Sequence, residues 1–517
     1  MQAYNLISEK WIPCIIQNRR IEFGLQEVLI RAHEISEIYD PSPLVTVSLH
    51  RLLLAILHRN FGPENFEKWQ QLWQKGRWDE KILDAYFQIW WPRFYLFNED
   101  RPFYQTPEMP DAKKHPVLHL AAEISTGNNT TLFDHNMDDK PTTVSAAAAA
   151  RYLVAAQAFS IGFGRSYPFY FSDAPLVRGI TFFNTGNNLF ETLLLNMVIY
   201  NEFIPFKLRE NDFPTWESDQ LPEPDKNGTP VNGYLDYLTW QSRKIHLYPE
   251  PDNISVRYCQ IQQNLKLPDS GYFDPFKCYQ KDEKRGWVPL NIQEDRVIWR
   301  DSYTLFQTTE QSAKRPEIFN LLAHVEMERR NGNIKVSKSF RLCAVGLSTE
   351  AGKAANIRLW RYERLPLPLK YLEDENLLTA LKLILGIAEK AGREINSSLW
   401  TLAKMLVMPE IEQLGKEQKA TIDKMLKHFS ADNFYWAQLG TTFPQILHEL
   451  AEDNIIDGQS IRYGDNTIPR WATIVKSTAI RTFRSVTNDL DQSARVLKAV
   501  TMAEIHFRRA LNQLLSG

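Results

Sequence analysis

The chain has 517 residues, about twice the ~250–300 at which one hydrophobic core stops growing, so at least two domains are expected. Hydrophobic residues make up 44% and charged residues 24%, a globular balance that excludes long disorder. Sixty Lys and Arg stand against 62 Asp and Glu, a net charge of −2, which excludes the global basic field of a DNA-coating protein and leaves any nucleic-acid site to local clusters.

Cys14, Cys259, Cys278 and Cys343 form no C-x-x-C pair, which argues against a zinc ribbon or a disulfide scaffold and for a reducing, cytoplasmic setting. The opening MQAYNLISEKWIP has no signal-peptide layout and no window reaches 18 uncharged apolar residues, so no membrane partner is expected.

In chain order, Trp11 to Ile16 reads as a strand, and Val45–Leu57 as a helix with apolar residues on one face around His50, Arg51 and His58. Residues 86–106 are unusually aromatic and read as core. Residues 125–143 are the longest polar, turn-rich stretch and read as an exposed loop. A helix follows from about Val144, rich in alanine, and stops at Ile161-Gly162-Phe163-Gly164-Arg165-Ser166. Residues 211–233 carry four prolines and read as a second loop. Residues 254–346 read as β-rich, with Asn331-Gly332 as the turn of a hairpin. From about Tyr371 prolines fall to three, and apolar residues recur at three- and four-residue spacing, as in Leu377, Leu381, Ile384, Leu385 and Ala388. The fold class is therefore α+β. A large mixed α/β N-terminal domain, residues 1–367, precedes a C-terminal antiparallel bundle of about four helices, residues 371–517.

No catalytic constellation and no cofactor motif emerges. Asp134-x-Asn136-x-Asp138 opens like a calcium loop, but the sixth and twelfth positions are Asp139 and Ser145 instead of Gly and Glu. His115-x-x-x-His119 lacks the Glu of a zinc protease, and Pro116 makes a helix continuing through it from upstream implausible. Gly162-x-Gly164 ends a helix without a third glycine, so it is either a C-cap or a backbone surface that a ligand can approach closely. Basic residues cluster in three places: Lys277, Lys281, Lys284 and Arg285; Lys353, Arg358, Arg361 and Arg364; and, among others, Arg470, Lys476, Arg481, Arg484, Arg495 and Arg508. Each is a solvated face or, since the charge is segregated in a neutral chain, a surface for a nucleic-acid backbone.

Several blocks together carry a resemblance: Asn5-Leu-Ile-Ser-Glu-Lys-Trp-Ile-Pro13, Phe94-Tyr-Leu-Phe with Arg101-Pro-Phe-Tyr-Gln-Thr106, Val177-Arg-Gly-Ile180, Pro214-Thr-Trp216, Tyr237-Leu-Thr-Trp-Gln-Ser-Arg243, and Asp274-Pro-Phe-Lys-Cys-Tyr279 before Gly286-Trp287. In order and spacing they resemble the CasA family, the large subunit of the type I-E CRISPR surveillance complex Cascade. The resemblance implies a non-catalytic subunit that finds the protospacer-adjacent motif in duplex DNA, promotes strand opening and R-loop formation, and recruits a separate helicase-nuclease. Guide pairing then reads the sequence itself. The implied partners are the guide RNA-containing subunits (backbone, 5′-handle-binding and small), target DNA and that nuclease.

Carried over residue by residue, the family's guide-docking loop falls on 126–140, with Asn129, Thr130, Leu132, Phe133 and His135. The motif-reading elements fall on Gly162, Gly164 and Arg165, with Lys277 as the lysine finger. The strand-separating wedge falls on Glu350 to Asn356, with Gly352, Lys353 and Asn356; the Gln that the family often presents there is absent, and the chain lacks the cysteine-rich zinc knuckle that some members carry in the β-rich region. Lys281, Lys284, Arg358, Arg361, Arg481 and Arg484 are candidates for the DNA backbone. The alternatives are a protein-only scaffold and a metal-dependent hydrolase or nuclease, for which no convergent carboxylates are found.

Overall fold

A computed structural model describes residues 2–122, 141–162, 164–200, 211–220, 223–268, 272–307, 312–349, 357–407, 415–457 and 460–515. The chain divides into two compact units: residues 1–294 with 311–364, and residues 295–310 with 365–517.

The first unit is organised around helix α1 (Pro43–Phe61). Ser42 caps its N-terminus by accepting from the Val45 N–H at 3.3 Å, Pro43 supplies the preset first turn, and Leu44 to Leu57 is almost wholly buried. Helix α2 (Ala146–Phe159) packs on it; Ser145 is its cap, and its alanines permit close approach of the two backbones. Strand β1 (Thr181–Thr185) belongs to a three-stranded antiparallel sheet. Strands β2 (Arg243–Pro249) and β3 (Ser255–Gln263) pair in a second sheet, where β3 also pairs Lys114–Pro116 and Val144–Ser145. Strands β4 (Tyr279–Asp282) and β5 (Gly286–Pro289) form a hairpin.

Helix α3 (Glu317–Arg330) stands where the sequence suggests a strand. Ile318, Phe319, Leu321, Leu322 and Val325 are buried at three- and four-residue spacing, and Gly332 at φ +77° follows the Asn331 C-cap. Asn331-Gly332 is thus a helix stop and not a hairpin turn. Strands β6 (Ser339–Thr349) and β7 (Ile357–Pro368) complete the first sheet in the order β7-β6-β1, in register Cys343↔Phe183 and Val345↔Thr181. Phe183, Cys343, Val345 and Leu347 pack with Leu44 and Val47 of α1 and with Phe159 and Leu176 in one core cluster. Each such apolar side chain stabilises by roughly 1.5–3 kcal/mol.

The second unit is helical: α4 (Glu375–Val407), α5 (Lys416–Phe429), α6 (Ala431–Glu452), α7 (Thr467–Asn488) and α8 (Ala494–Leu515). Among the described residues from 371 on, that is five α-helices where periodicity suggests about four. A short hairpin, β8 (Asn454–Asp457) and β9 (Ser460–Tyr463), interrupts them. Residues 295–310 join this unit through Trp299, which stacks on Phe443 at 4.3 Å, and Arg300, which pairs with Glu389 at 2.8 Å.

Candidate nucleic-acid interface

Helix α2 ends at Phe159 with Ser160 as its C-cap, so neither glycine of the 162–164 pair caps it. The glycines have different reasons. A Cβ on Gly162 would lie 2.5 Å from the Asp173 amide nitrogen, because the outgoing and returning legs of the loop touch there. Gly164 sits at φ +87°, and a Cβ on it would meet nothing within 4 Å: it is left-handed and open to solvent.

The legs are clamped from below by Arg243, the first residue of β2, whose side chain is fully buried. Its Nη2 donates to the carbonyls of Ser160 (3.1 Å), Ile161 (3.2 Å) and Ser172 (2.6 Å), and its Nη1 to Ser242 O (2.9 Å) and Gln263 Oε1 (3.1 Å). The guanidinium lies 5.1 Å from the Phe171 ring. Burial pulls its pKa down to about 9. Gln263 adds a second clamp, its Oε1 accepting from Ser172 N (2.8 Å) and its backbone N–H donating to Ser166 Oγ (2.7 Å).

The returning leg is braced sideways. Asp173 accepts from Gly162 N at 2.7 Å and from Arg178 Nε at 2.5 Å, while Arg178 Nη1 donates to Thr349 Oγ1 at 3.1 Å. Thr349 is the last residue of β6, directly before residues 350–356, on which the expected wedge falls. The foot of the glycine loop and the root of the expected wedge turn are therefore joined through one arginine. The wedge residues Gly352, Lys353 and Asn356 lie outside the described residues, as do the docking-loop residues Asn129, Thr130, Leu132, Phe133 and His135.

Lys277 belongs to this arrangement in a different role from the one its resemblance implies. Its ammonium is buried and donates to Pro175 O (2.7 Å) and Arg178 O (2.6 Å), and burial lowers its pKa to about 8. It ties the 175–178 segment from within and is not an extended finger. Gly179, at φ +89°, leaves the room: a Cβ there would lie 3.2 Å from Lys277 Cδ and 2.7 Å from Pro289 Cβ. The neighbouring Asp274 accepts from Tyr237 OH at 2.5 Å and lies 3.9 Å from Arg51, so the Asp274 to Tyr279 block is a structural joint to α1.

Arg165 is exposed on the loop. Lys281 and Lys284 are exposed on the β4–β5 hairpin, whose turn is held by Asp282 accepting from the amides of Lys284 (3.0 Å) and Arg285 (2.9 Å). Arg358 and Arg361 are occupied: Arg358 pairs with Glu294 at 2.9 Å, and Arg361 donates to the carbonyls of Gln293 and Glu294. They pin residues 293–294, which weakens their candidacy for phosphates. In the second unit, Arg481 and Arg484 stand exposed on α7, with Arg481 also reaching Thr478 Oγ1 at 3.3 Å.

The sequence reading missed Arg243, Gln263, Asp173 and Arg178 as site-forming residues. Arg178 and Arg243 stand inside blocks that carried the resemblance, which was the available signal. Elsewhere, His58 is buried edge-on between Tyr200 and Tyr234, and burial lowers its pKa to about 3; His50 Nδ1 lies 2.8 Å from Thr46 O. The four cysteines are buried and form no disulfide. Among the described residues no group of three His, Cys, Asp or Glu is placed to hold a metal, and no helix is long and apolar enough to cross a membrane.

This combination of a mixed α/β unit and a helical unit is that of CRISPR-associated proteins of known structure. A crystal structure of Thermus thermophilus CasA matches at a TM-score of 0.83 and 27% identity, covering 99% of this chain and 100% of that one. A chain of a solved CRISPR RNA-guided surveillance complex shares the fold at a TM-score of 0.76 and 22% identity, covering 99% and 100%. The family model described as CRISPR-associated protein Cse1 matches residues 5–482. The curated CasA/Cse1 of Thermus thermophilus is 31% identical over 527 residues, 99% of this chain and 98% of that protein. The chain belongs to the Cse1/CasA family.

Proposed function

We propose that this chain is the non-catalytic large subunit of a cytoplasmic, RNA-guided antiviral surveillance complex of the Cascade type. In this role it reads a short flanking motif in duplex DNA through the minor groove, promotes strand opening beside it, and helps to recruit a separate helicase-nuclease. Its partners are the guide RNA-containing subunits and the target duplex. The observation that carries the motif-reading step is Gly164: a left-handed, open-sided residue on a loop whose two legs are fixed by a buried arginine. The minor groove is narrow and admits bare backbone and a slender cation where a branched side chain is excluded, and its pattern distinguishes mainly A·T from G·C. Arg165 supplies the adjacent charge. The tie from Arg178 to Thr349 supports a coupling between motif reading and residues 350–356 as the strand-separating element. Membership of the family and the fold shared with a surveillance-complex chain support the assembly.

The test is Gly164→Ala in the assembled, guide-bound complex. A Cβ at this backbone conformation costs about 1 kcal/mol locally and blocks close approach. Binding to motif-bearing duplex should be lost while a single-stranded target, which needs neither motif reading nor opening, binds normally. Equal loss on both targets places the lesion in folding or assembly and overturns the assignment.

A further inference from the structure

Two tyrosines on the same loop have no part in the reading above. Tyr167 and Tyr170 are 70% and 68% exposed, against 38–47% for the other exposed aromatic side chains among the described residues. Isolated exposed apolar residues are ordinary, but two rings three residues apart, on a loop that is otherwise tied down, form a presented surface. The loop is not slack: Phe171 N donates to Gly164 O at 3.3 Å, Ser166 Oγ is held by Gln263, and Arg243 fixes both legs. Rings carried on a fixed base lose little freedom on binding. Between Gly164 and Phe171 there is no acidic residue, and Arg165 is exposed, so a phosphate backbone meets no repulsion there.

Resting on the reading of this loop as a minor-groove contact, we propose that Tyr167 and Tyr170 enter the groove beside the motif and unstack a base step. Aromatic or aliphatic wedges from minor-groove proteins do this at a cost of a few kcal/mol of unstacking, offset by apolar contact. The rings would thus begin the duplex distortion beside the motif.

The experiment uses the full chain in the guide-bound complex and a matched duplex carrying 2-aminopurine at the steps in and beside the motif. Tyr167→Ala and Tyr170→Ala should each weaken duplex binding by roughly tenfold, within the range of one lost aromatic–base stack, and abolish the fluorescence rise that unstacking produces. Binding of single-stranded target should be unchanged, and Tyr167→Phe and Tyr170→Phe should keep both signals. The proposal is overturned if the alanine variants bind the duplex and raise fluorescence like the parent. It is equally overturned if they lose single-stranded and duplex targets alike, since the rings then hold a neighbouring protein subunit. Gly164→Ala run in parallel separates the two claims. If it alone loses motif duplex, the loop reading stands and the tyrosine inference fails; if it loses nothing, the reading beneath the proposal falls with it.

Discussion

Along α4, Leu377, Leu381, Ile384, Ala388, Ala391, Ile395, Leu399 and Leu402 are buried at three- and four-residue intervals, and the helix is held by many similar apolar contacts. The loop around Gly164 has no such rhythm. It is held by a guanidinium from a strand 71 to 83 residues away from the loop carbonyls it binds, an amide from the end of another strand, and an aspartate–arginine pair at its foot. The first kind of support depends on volume and tolerates substitution by shape; the second depends on the number and direction of donors, where a residue of similar size and charge does not serve.

The sharpest way to break this contrast is at Arg243. Arg243→Ala takes the donor from the Ile161 and Ser172 carbonyls and one of the donors from those of Ser160 and Ser242, and empties a fully buried side-chain site, which should cost roughly 3–5 kcal/mol. Arg243→Lys should recover little of it, since one ammonium nitrogen cannot stand in for Nη2 on the two legs and for Nη1 on Ser242 and Gln263 at once. In α4 the corresponding exchange, Leu381→Met, should cost under about 1.5 kcal/mol. Urea unfolding measures all three. An Arg243→Lys variant as stable as the parent would show that the loop does not rest on the forked donor.

Next in size is Lys277. Lys277→Met removes the donor from two carbonyls and should cost roughly 2 kcal/mol. The pH dependence carries more information. The folded pKa is near 8 and the unfolded value 10.5, so between them the unfolded chain holds more protons and stability rises with pH. The neutral amine still has two N–H groups for its two carbonyls, so the tie survives deprotonation. The stability gap between the parent and Lys277→Met should therefore widen from about pH 8 to pH 10.5. A gap that stays flat there would mean a solvated ammonium, and would return Lys277 to the role of an extended finger.

The same contrast decides what was legible in the sequence. Helices α1, α2 and α4 announce themselves by apolar spacing, caps and alanine content, all local properties. Asn331-Gly332 misled because the same dipeptide serves a hairpin and a helix stop, and only the buried face of Ile318 to Val325 chooses between them. Residues 295–310 carry no mark of their attachment to the helical unit, because the Trp299–Phe443 stack exists only after folding. At the site, the glycines were visible but their reasons were not: whether a glycine is needed for φ, for a touching backbone or for an outside ligand depends on neighbours distant in the chain. Lys277 was misread for that reason, as a lysine in a basic stretch gives no sign that two carbonyls await it.

The smallest effects test the apolar side of the comparison, using two glycines within α4. A Cβ on Gly386 would meet nothing within 4 Å, so Gly386→Ala should stabilise by about 0.5–1 kcal/mol through helix propensity and the lost freedom of the unfolded chain. A Cβ on Gly392 would stand 3.0 Å from the Trp436 ring and 3.2 Å from that of Tyr435. Neither ring is free to retreat. Tyr435 OH donates to Ala388 O at 2.9 Å, and the Arg300 guanidinium lies 3.6 Å from the Trp436 ring centroid. Overpacking should therefore outweigh the propensity gain, and Gly392→Ala should destabilise by about 1 kcal/mol. Paired unfolding curves give the sign of each. If both substitutions stabilise, the contact between α4 and α6 yields to an added methyl, and the helical unit is softer than its buried aromatic cluster implies.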